Sequence, residues 1–317
     1  MIRYWIGIWD LKEHPRSLAA IRICLGLVIL FDAVEVMRRG LVLSLMGVLE
    51  AGGFSSALAR GAAPLWYQVF PAEPSSAWLL WAAIFASGLG FTLGFFPRVC
   101  AILFVLLSAQ WNQILPMADR GIDTLVRNAM IIMAFSQCGR TLSIDAWRAT
   151  GTWRGDNEAV SAWPRHLVIC QLVLMYFMSG VQKFGLYWTP FGHYSALYII
   201  LQDYAIARAD FSWVVRQPFY FFTQVSTAVT VLWQWSYPIV FLFFHYRLTP
   251  NRSGRFRAFA LKYHLHWVWV SIGAFFHIGI ALTLELGIFP WAMMALYPAF
   301  IHPTEWRWIG NKLRIGP

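Results

Sequence analysis

Apolar residues run along the chain in long blocks separated by short polar or basic breaks. A helix must carry about 20 mostly apolar residues to cross the hydrocarbon core of a bilayer. Eight blocks reach or approach that length, at approximately 17–37, 77–96, 99–117, 122–139, 166–184, 219–245, 264–285 and 287–303. The second and third are joined tightly by Pro97 and Arg98, and the last two near Gly287 and Pro290. The final block is short, so a helical hairpin or a re-entrant turn fits there as well as two crossings. The pattern predicts an all-α fold, a polytopic integral membrane helical bundle of about eight transmembrane helices. Residues 1–16 include Trp5, Trp9, Asp10, Lys12 and Glu13 and have no long uncharged core. That excludes a cleavable signal peptide and suits an interfacial helix lying on the membrane. The expected organisation is an interfacial helix at 1–16, a transmembrane domain at 17–303 and a cytoplasmic tail at 304–317.

The breaks set the orientation. With the N-terminus in the cytoplasm, sixteen Lys and Arg residues fall on inner segments and six on outer ones. This is the asymmetry of the positive-inside rule, so both termini are expected to be cytoplasmic. Cys24, Cys100, Cys138 and Cys170 then lie toward the inner side, where thiols stay reduced. The polar loop at 140–165 reads as a cytoplasmic connector. The outer loops at 41–72 and 186–215 are rich in Leu, Trp, Tyr and Phe and are expected to pack on the helices.

Composition narrows the class further. Hydrophobic residues make up 59% of the 317 positions and charged residues 13%, with a mean hydropathy of +0.55. Soluble domains are about 45–50% apolar and about a quarter charged, so a soluble fold, disorder and a coiled coil are excluded. The net charge of +10 does not point to nucleic acid, because the basic residues punctuate apolar blocks instead of forming a stripe. The expected surroundings are membrane lipids. The four cysteines form no CxxC pair, and no metal site is expected.

Charges inside a bilayer are costly, so each is a functional candidate. The first block holds Arg22, Asp32 and Glu35, the fourth opens with Asp123 and Arg127, the fifth ends with Gln182 and Lys183, and the seventh holds His277 and Glu285. In the expected orientation all of these except Arg22 fall in the outer half, together with Gln110, Asn112 and Gln113. Polar groups from five helices thus share one depth, which predicts a polar cavity at or just beneath the outer face. Each residue also has a structural reading. Lys183 could snorkel to the interface. Glu35 could pair with Arg38 and Arg39, and Asp123 with Arg127. Asp123 could instead cap its helix, and His277 could be a packing residue. Gly88, Gly90 and Gly94 read as close helix packing.

Four stretches add a resemblance: SLAAIRICLGLVILFDAVE at 17–35, CGRTLSIDAW at 138–147, YFMSGVQKFGLYW at 176–188 and FFHIGIALTLELGIFPWAMMALYPAFIHP at 275–303. Together they resemble the HTTM family, the membrane domain shared by vitamin K-dependent γ-glutamyl carboxylase and many bacterial proteins. In the carboxylase a Gly-Val-Lys-Lys-Leu motif supplies a lysine base that deprotonates reduced vitamin K. The resemblance puts that base at Lys183, with Gln182 standing where the motif has its other lysine, and the family's His-bearing helix at His277. The carboxylase's Asn-His pair near Asp123 is replaced by Arg-Gly-Ile-Asp, and its large lumenal domain has no counterpart within 317 residues. The GFFPR turn at 94–98 and the length are similar to the SdpB-like branch, which matures a bacterial peptide toxin.

The resemblance therefore implies an enzyme that modifies or matures an exported peptide at the outer face, with toxin-peptide maturation favoured over γ-glutamyl carboxylation. Lys183, His277 and Asp32 are the expected catalytic groups: base, hydrogen-bond donor and charge partner. Gln182, Asp123, Arg127 and Glu285 are expected to contact a reduced quinone resembling vitamin K hydroquinone. A secreted peptide and a small SdpA-like protein are the expected partners. The competing reading is a non-enzymatic transporter or an export or immunity factor, since intramembrane charges serve that role equally well. A quinol oxidoreductase without a peptide substrate ranks third.

Overall fold

A computed structural model describes residues 2–303, 305 and 306, apart from residues 60, 62, 157, 250 and 251. The expected tail at 304–317 therefore lies almost wholly outside the described residues, as do Arg60 and Asn157. The described chain is mostly helical and separates into two compact units, residues 1–168 with 295–317, and residues 169–294.

The first unit begins with α1 (Ile2–Trp9), followed by α2 (Arg16–Arg38), α3 (Val42–Met46), α4 (Leu65–Val69), α5 (Pro74–Leu93), α6 (Pro97–Ile114), α7 (Gly121–Ala134) and α8 (Ile144–Thr150). Its two short strands, β1 (Lys12–Glu13) and β2 (Val160–Ser161), pair antiparallel. Helices α5 and α6 each start on a proline, whose missing N–H costs nothing in a first turn. Between them Gly94 closes α5 with φ +70, a conformation open to glycine without strain. Helices α2 and α5 approach closely because glycine stands at the contact. A Cβ on Gly88 would come within 2.8 Å of Ile29, and one on Gly26 would strike Thr92. Gly90 likewise makes room for Cys100 on α6, so the glycine cluster does serve packing. Trp81 Nε1 donates to the Ala33 carbonyl at 2.9 Å and ties the same pair together.

Two buried arginines fasten the ends of this unit. Arg22 is fully buried and donates to the carbonyls of Cys138 and Leu142, clamping the turn after α7 onto α2. Arg165 donates to both oxygens of Glu13 at 2.7 Å and to the Ala299 carbonyl at 3.0 Å. Residues 295–303 are held against α2 by Ser17 Oγ, which donates to the Ile301 carbonyl at 2.7 Å.

Helix α9 (Trp163–Val181) opens the second unit, which continues with α10 (Ala196–Leu201), α11 (Phe219–Ser236), α12 (Ile239–Leu248), α13 (Arg255–Lys262), α14 (His266–Thr283) and α15 (Phe289–Ala295). Its interior holds an aromatic cluster. The Tyr176 ring lies 4.5 Å from Tyr237 and 4.7 Å from Trp233, and His277 sits 5.5 Å from Phe289.

Among the described residues, α2, α5, α9 and α14 are long and apolar enough to cross a membrane. Helices α11 and α12 form a fifth span if the pair, bent by 46° at its break, counts as one. The break falls at Tyr237 and Pro238, where proline cannot donate to the helical ladder. The other three expected spans have helices at the expected places but of another kind. Helix α6 turns polar at Gln110, Asn112 and Gln113, α7 has only 14 residues, and α15 has seven before a short 3-10 turn at Tyr297–Phe300. A seven-residue helix rises roughly 10 Å, a third of the hydrocarbon thickness. Short helices α3, α4 and α10 occupy the apolar loops, but Phe54, Val69, Phe191 and Tyr204 of these loops are exposed.

Candidate functional site

In the first unit two carboxylates converge on an arginine. Asp32, on the C-terminal half of α2, and Asp123, in the first turn of α7, are both bound by Arg120. Its Nη2 lies 3.2 Å from Asp32 and 2.9 Å from Asp123. The cap of α7 is Arg120 rather than Asp123. The aspartate is the third helical residue and accepts from the Arg120 backbone N–H at 2.8 Å, the carboxylate half of a capping box. Arg127 does not pair with Asp123 either. It forms a two-pronged pair with Asp119, at 2.8 and 2.7 Å, with both side chains largely buried. Gln110 accepts from the Trp66 backbone N–H at 3.0 Å. Glu35 binds Arg38 at 2.8 Å and Arg39 at 3.1 Å, an exposed pair at the end of α2.

In the second unit Lys183 follows the last turn of α9 and is half-buried. Its Nζ lies 2.8 Å from Ser179 Oγ, donates to the Ser179 carbonyl at 3.0 Å, and sits 5.1 Å from the Trp188 ring centre. Among the described residues of this unit no carboxylate pairs with it. The ammonium form loses water without gaining a counter-charge, and desolvation holds the lysine pKa below its ordinary value. Gln182 is exposed. His277 is fully buried in α14, with Nε2 2.7 Å from the Tyr176 hydroxyl. Tyr176 precedes Lys183 by seven residues, about two turns or roughly 10 Å along the helix axis. The amine and the imidazole therefore bond to different groups on α9, and no contact joins them among the described residues. Glu285 pairs with Arg208 at 3.0 Å, and Arg208 Nε also donates to the Leu284 carbonyl.

Two groups of residues stood outside the sequence reading. Asp119 and Arg120 fall between the third and fourth apolar blocks, yet they bind Asp123 and Arg127, the ionised side chains on α7. Ser179 was legible in principle, because positions four apart share a helix face. Tyr176 carried no sequence signal at all. A cavity of about 450 Å³ also opens beside the α5–α6 turn, lined by Phe96, Arg98, Arg140 and Asp156 among others. None of the expected site residues lines it. Among the described residues no group of three His, Cys, Asp or Glu side chains could hold a metal ion.

Long apolar helices carrying buried ion pairs are the features of a helical membrane protein. The chain belongs to the HTTM domain family, whose family model matches residues 11–253. No curated protein and no solved structure matches it.

Proposed function

We propose that this protein modifies or matures an exported peptide at the outer face of the cell membrane, with the Lys183 amine as general base. The observation that carries the reading is the set of partners around that amine. Nζ is held by Ser179 and the Trp188 ring, all neutral groups. The intramembrane carboxylates of the first unit are instead bound to arginines. Neutral, half-dry surroundings favour the uncharged amine, the form that accepts a proton. Toxin-peptide maturation of the SdpB-like kind suits the chain better than γ-glutamyl carboxylation, because Gln182 stands in place of the first motif lysine. The multi-pass arrangement, the extracytoplasmic placement of the site and a small SdpA-like partner protein belong to the same proposal.

A reduced quinone fits the residues poorly. Of the groups expected to contact it, Asp123, Arg127 and Glu285 already bind protein partners. Only Gln182 remains exposed with its side chain uncommitted among the described residues. The proton transfer proposed for Lys183 needs only the peptide.

The test is maturation of a co-expressed secreted peptide, followed by mass spectrometry of the secreted product. Lys183→Ala is expected to abolish processing while the protein remains in the membrane. Full processing by that variant overturns the reading. The non-enzymatic alternative draws on the network of Asp32, Arg120, Asp123, Asp119 and Arg127. It requires that cysteines introduced along that network react with impermeant reagents from both faces of the membrane. Reaction from the outer face alone favours the enzyme.

A further inference from the structure

Ser179 and Lys183 stand four residues apart at the end of α9, with Oγ and Nζ 2.8 Å apart. A hydroxyl within hydrogen-bond reach of an amine, with the amine oriented by a further group, is the arrangement of an activated nucleophile. Here the orienting groups are the Ser179 carbonyl, 3.0 Å from Nζ, and the Trp188 ring. We infer that Ser179 and Lys183 form a Ser–Lys dyad that cleaves an amide bond of the exported peptide by acyl transfer. This rests on the proposed function and names the reaction at the same site.

Three further features of the second unit support it. Ser179 is itself half-exposed, so an acyl group can reach Oγ. The residues after the lysine leave helical geometry, and the backbone N–H groups of Phe184 and Gly185 have no acceptor among the described residues. Two donors without a protein acceptor thus lie one and two residues beyond the base, and donors of this kind are what an oxyanion needs. The side chains of Phe184, Leu186 and Tyr187 are exposed by 66, 57 and 53%. They follow the lysine within four residues and offer apolar surface that suits a hydrophobic peptide segment.

The steps balance without an added oxidant or reductant. The Oγ–H proton passes to the Nζ lone pair as Oγ bonds to the peptide carbonyl carbon. The C–N bond then breaks, and Nζ returns that proton to the leaving amine. Water repeats the sequence: its proton goes to Nζ, its oxygen bonds to the acyl carbon, the C–Oγ bond breaks, and the proton returns to Oγ. The products are a carboxylic acid, an amine and the regenerated serine.

The full chain in lipid bilayers, treated with a fluorophosphonate probe, is expected to gain one adduct, located on Ser179 by peptide mass spectrometry. S179A should abolish the adduct. Lys183→Arg keeps a donor and a positive charge but cannot serve as a base, and it should slow labelling by about a hundredfold or more. No adduct on Ser179, or equal labelling in the Lys183→Arg variant, overturns the dyad. The outcome is separable from that of the proposed function. Loss of processing in Lys183→Ala with no serine adduct retains the base and removes the nucleophile.

Discussion

The ion-pair network of the first unit contrasts with Lys183 and His277 in the second, although the second also holds the Arg208–Glu285 pair. In the first, ionised side chains within or beside the helices are bonded to one another or to backbone carbonyls. Arg120 holds two aspartates, Arg127 holds Asp119, Arg165 holds Glu13, and Arg22 holds two carbonyls. In the second, Lys183 rests on a hydroxyl, a carbonyl and an aromatic ring, and His277 on a phenol. A buried ion pair fixes the charge state of both members and so suits architecture. Neutral partners leave the Lys183 amine able to change its protonation state. Under the proposed function, Lys183 is the working base and the acidic residues of the first unit hold their arginine partners.

The contrast can be broken or sharpened by substitution. The largest effect on stability is expected from Arg22→Met, which leaves the Cys138 and Leu142 carbonyls without their donor in a dry interior. At about 1–3 kcal/mol for each unsatisfied carbonyl, a loss of several kcal/mol should appear in denaturant unfolding in detergent. Asp119→Ala strips a largely buried guanidinium of its partner and should cost about 3 kcal/mol by the same measurement. If either substitution proved neutral, the architectural role of the first unit would fail.

Lys183→Arg should lower peptide processing about a hundredfold, or about 2.7 kcal/mol in barrier, with unfolding little changed. The wild-type rate should rise with pH as Nζ loses its proton. Desolvation lowers the lysine pKa, so the rise begins below the ordinary lysine range. A rate independent of pH across the neutral and alkaline range would contradict the base. Tyr176→Phe removes one partner of a buried imidazole and should cost about 1–3 kcal/mol. Its effect on processing tests whether His277 acts through that phenol. The smallest effect belongs to Glu35→Ala, whose arginine partners are more than half exposed. Solvent screening leaves such a pair little to contribute, and no measurable change in unfolding is expected.

Much of the helical layout was legible because apolarity along a segment is a local property. The blocks at 17–37, 77–96, 166–184 and 264–285 match α2, α5, α9 and α14 within a few residues at most ends. The glycines of α5 also read correctly, since a missing side chain in an apolar helix has few uses other than close approach. The block at 122–139 misled by its length. The block runs on through Phe135 and Cys138 across Ser136 and Gln137, but α7 stops at Ala134, and the following turn is held by Arg22 and by Arg98, which donates to the Ser136 carbonyl. Hydropathy cannot register that competition. The candidate site was half visible. Lys183 and Ser179 lie four residues apart on one helix, so their contact follows from helical spacing.

The sequence alone determined that this is a helical protein with membrane-type segments, where its longest helices run, and which ionisable residues lie among apolar ones. These follow from the local cost of placing polar groups in hydrocarbon. Only the tertiary structure decided which charge meets which. Asp32 and Arg120 are 88 residues apart, and Tyr176 and His277 are 101. Such partners are chosen by how helices pack, and a charge whose distant partner is unknown reads the same whether it will be neutralised or left to react.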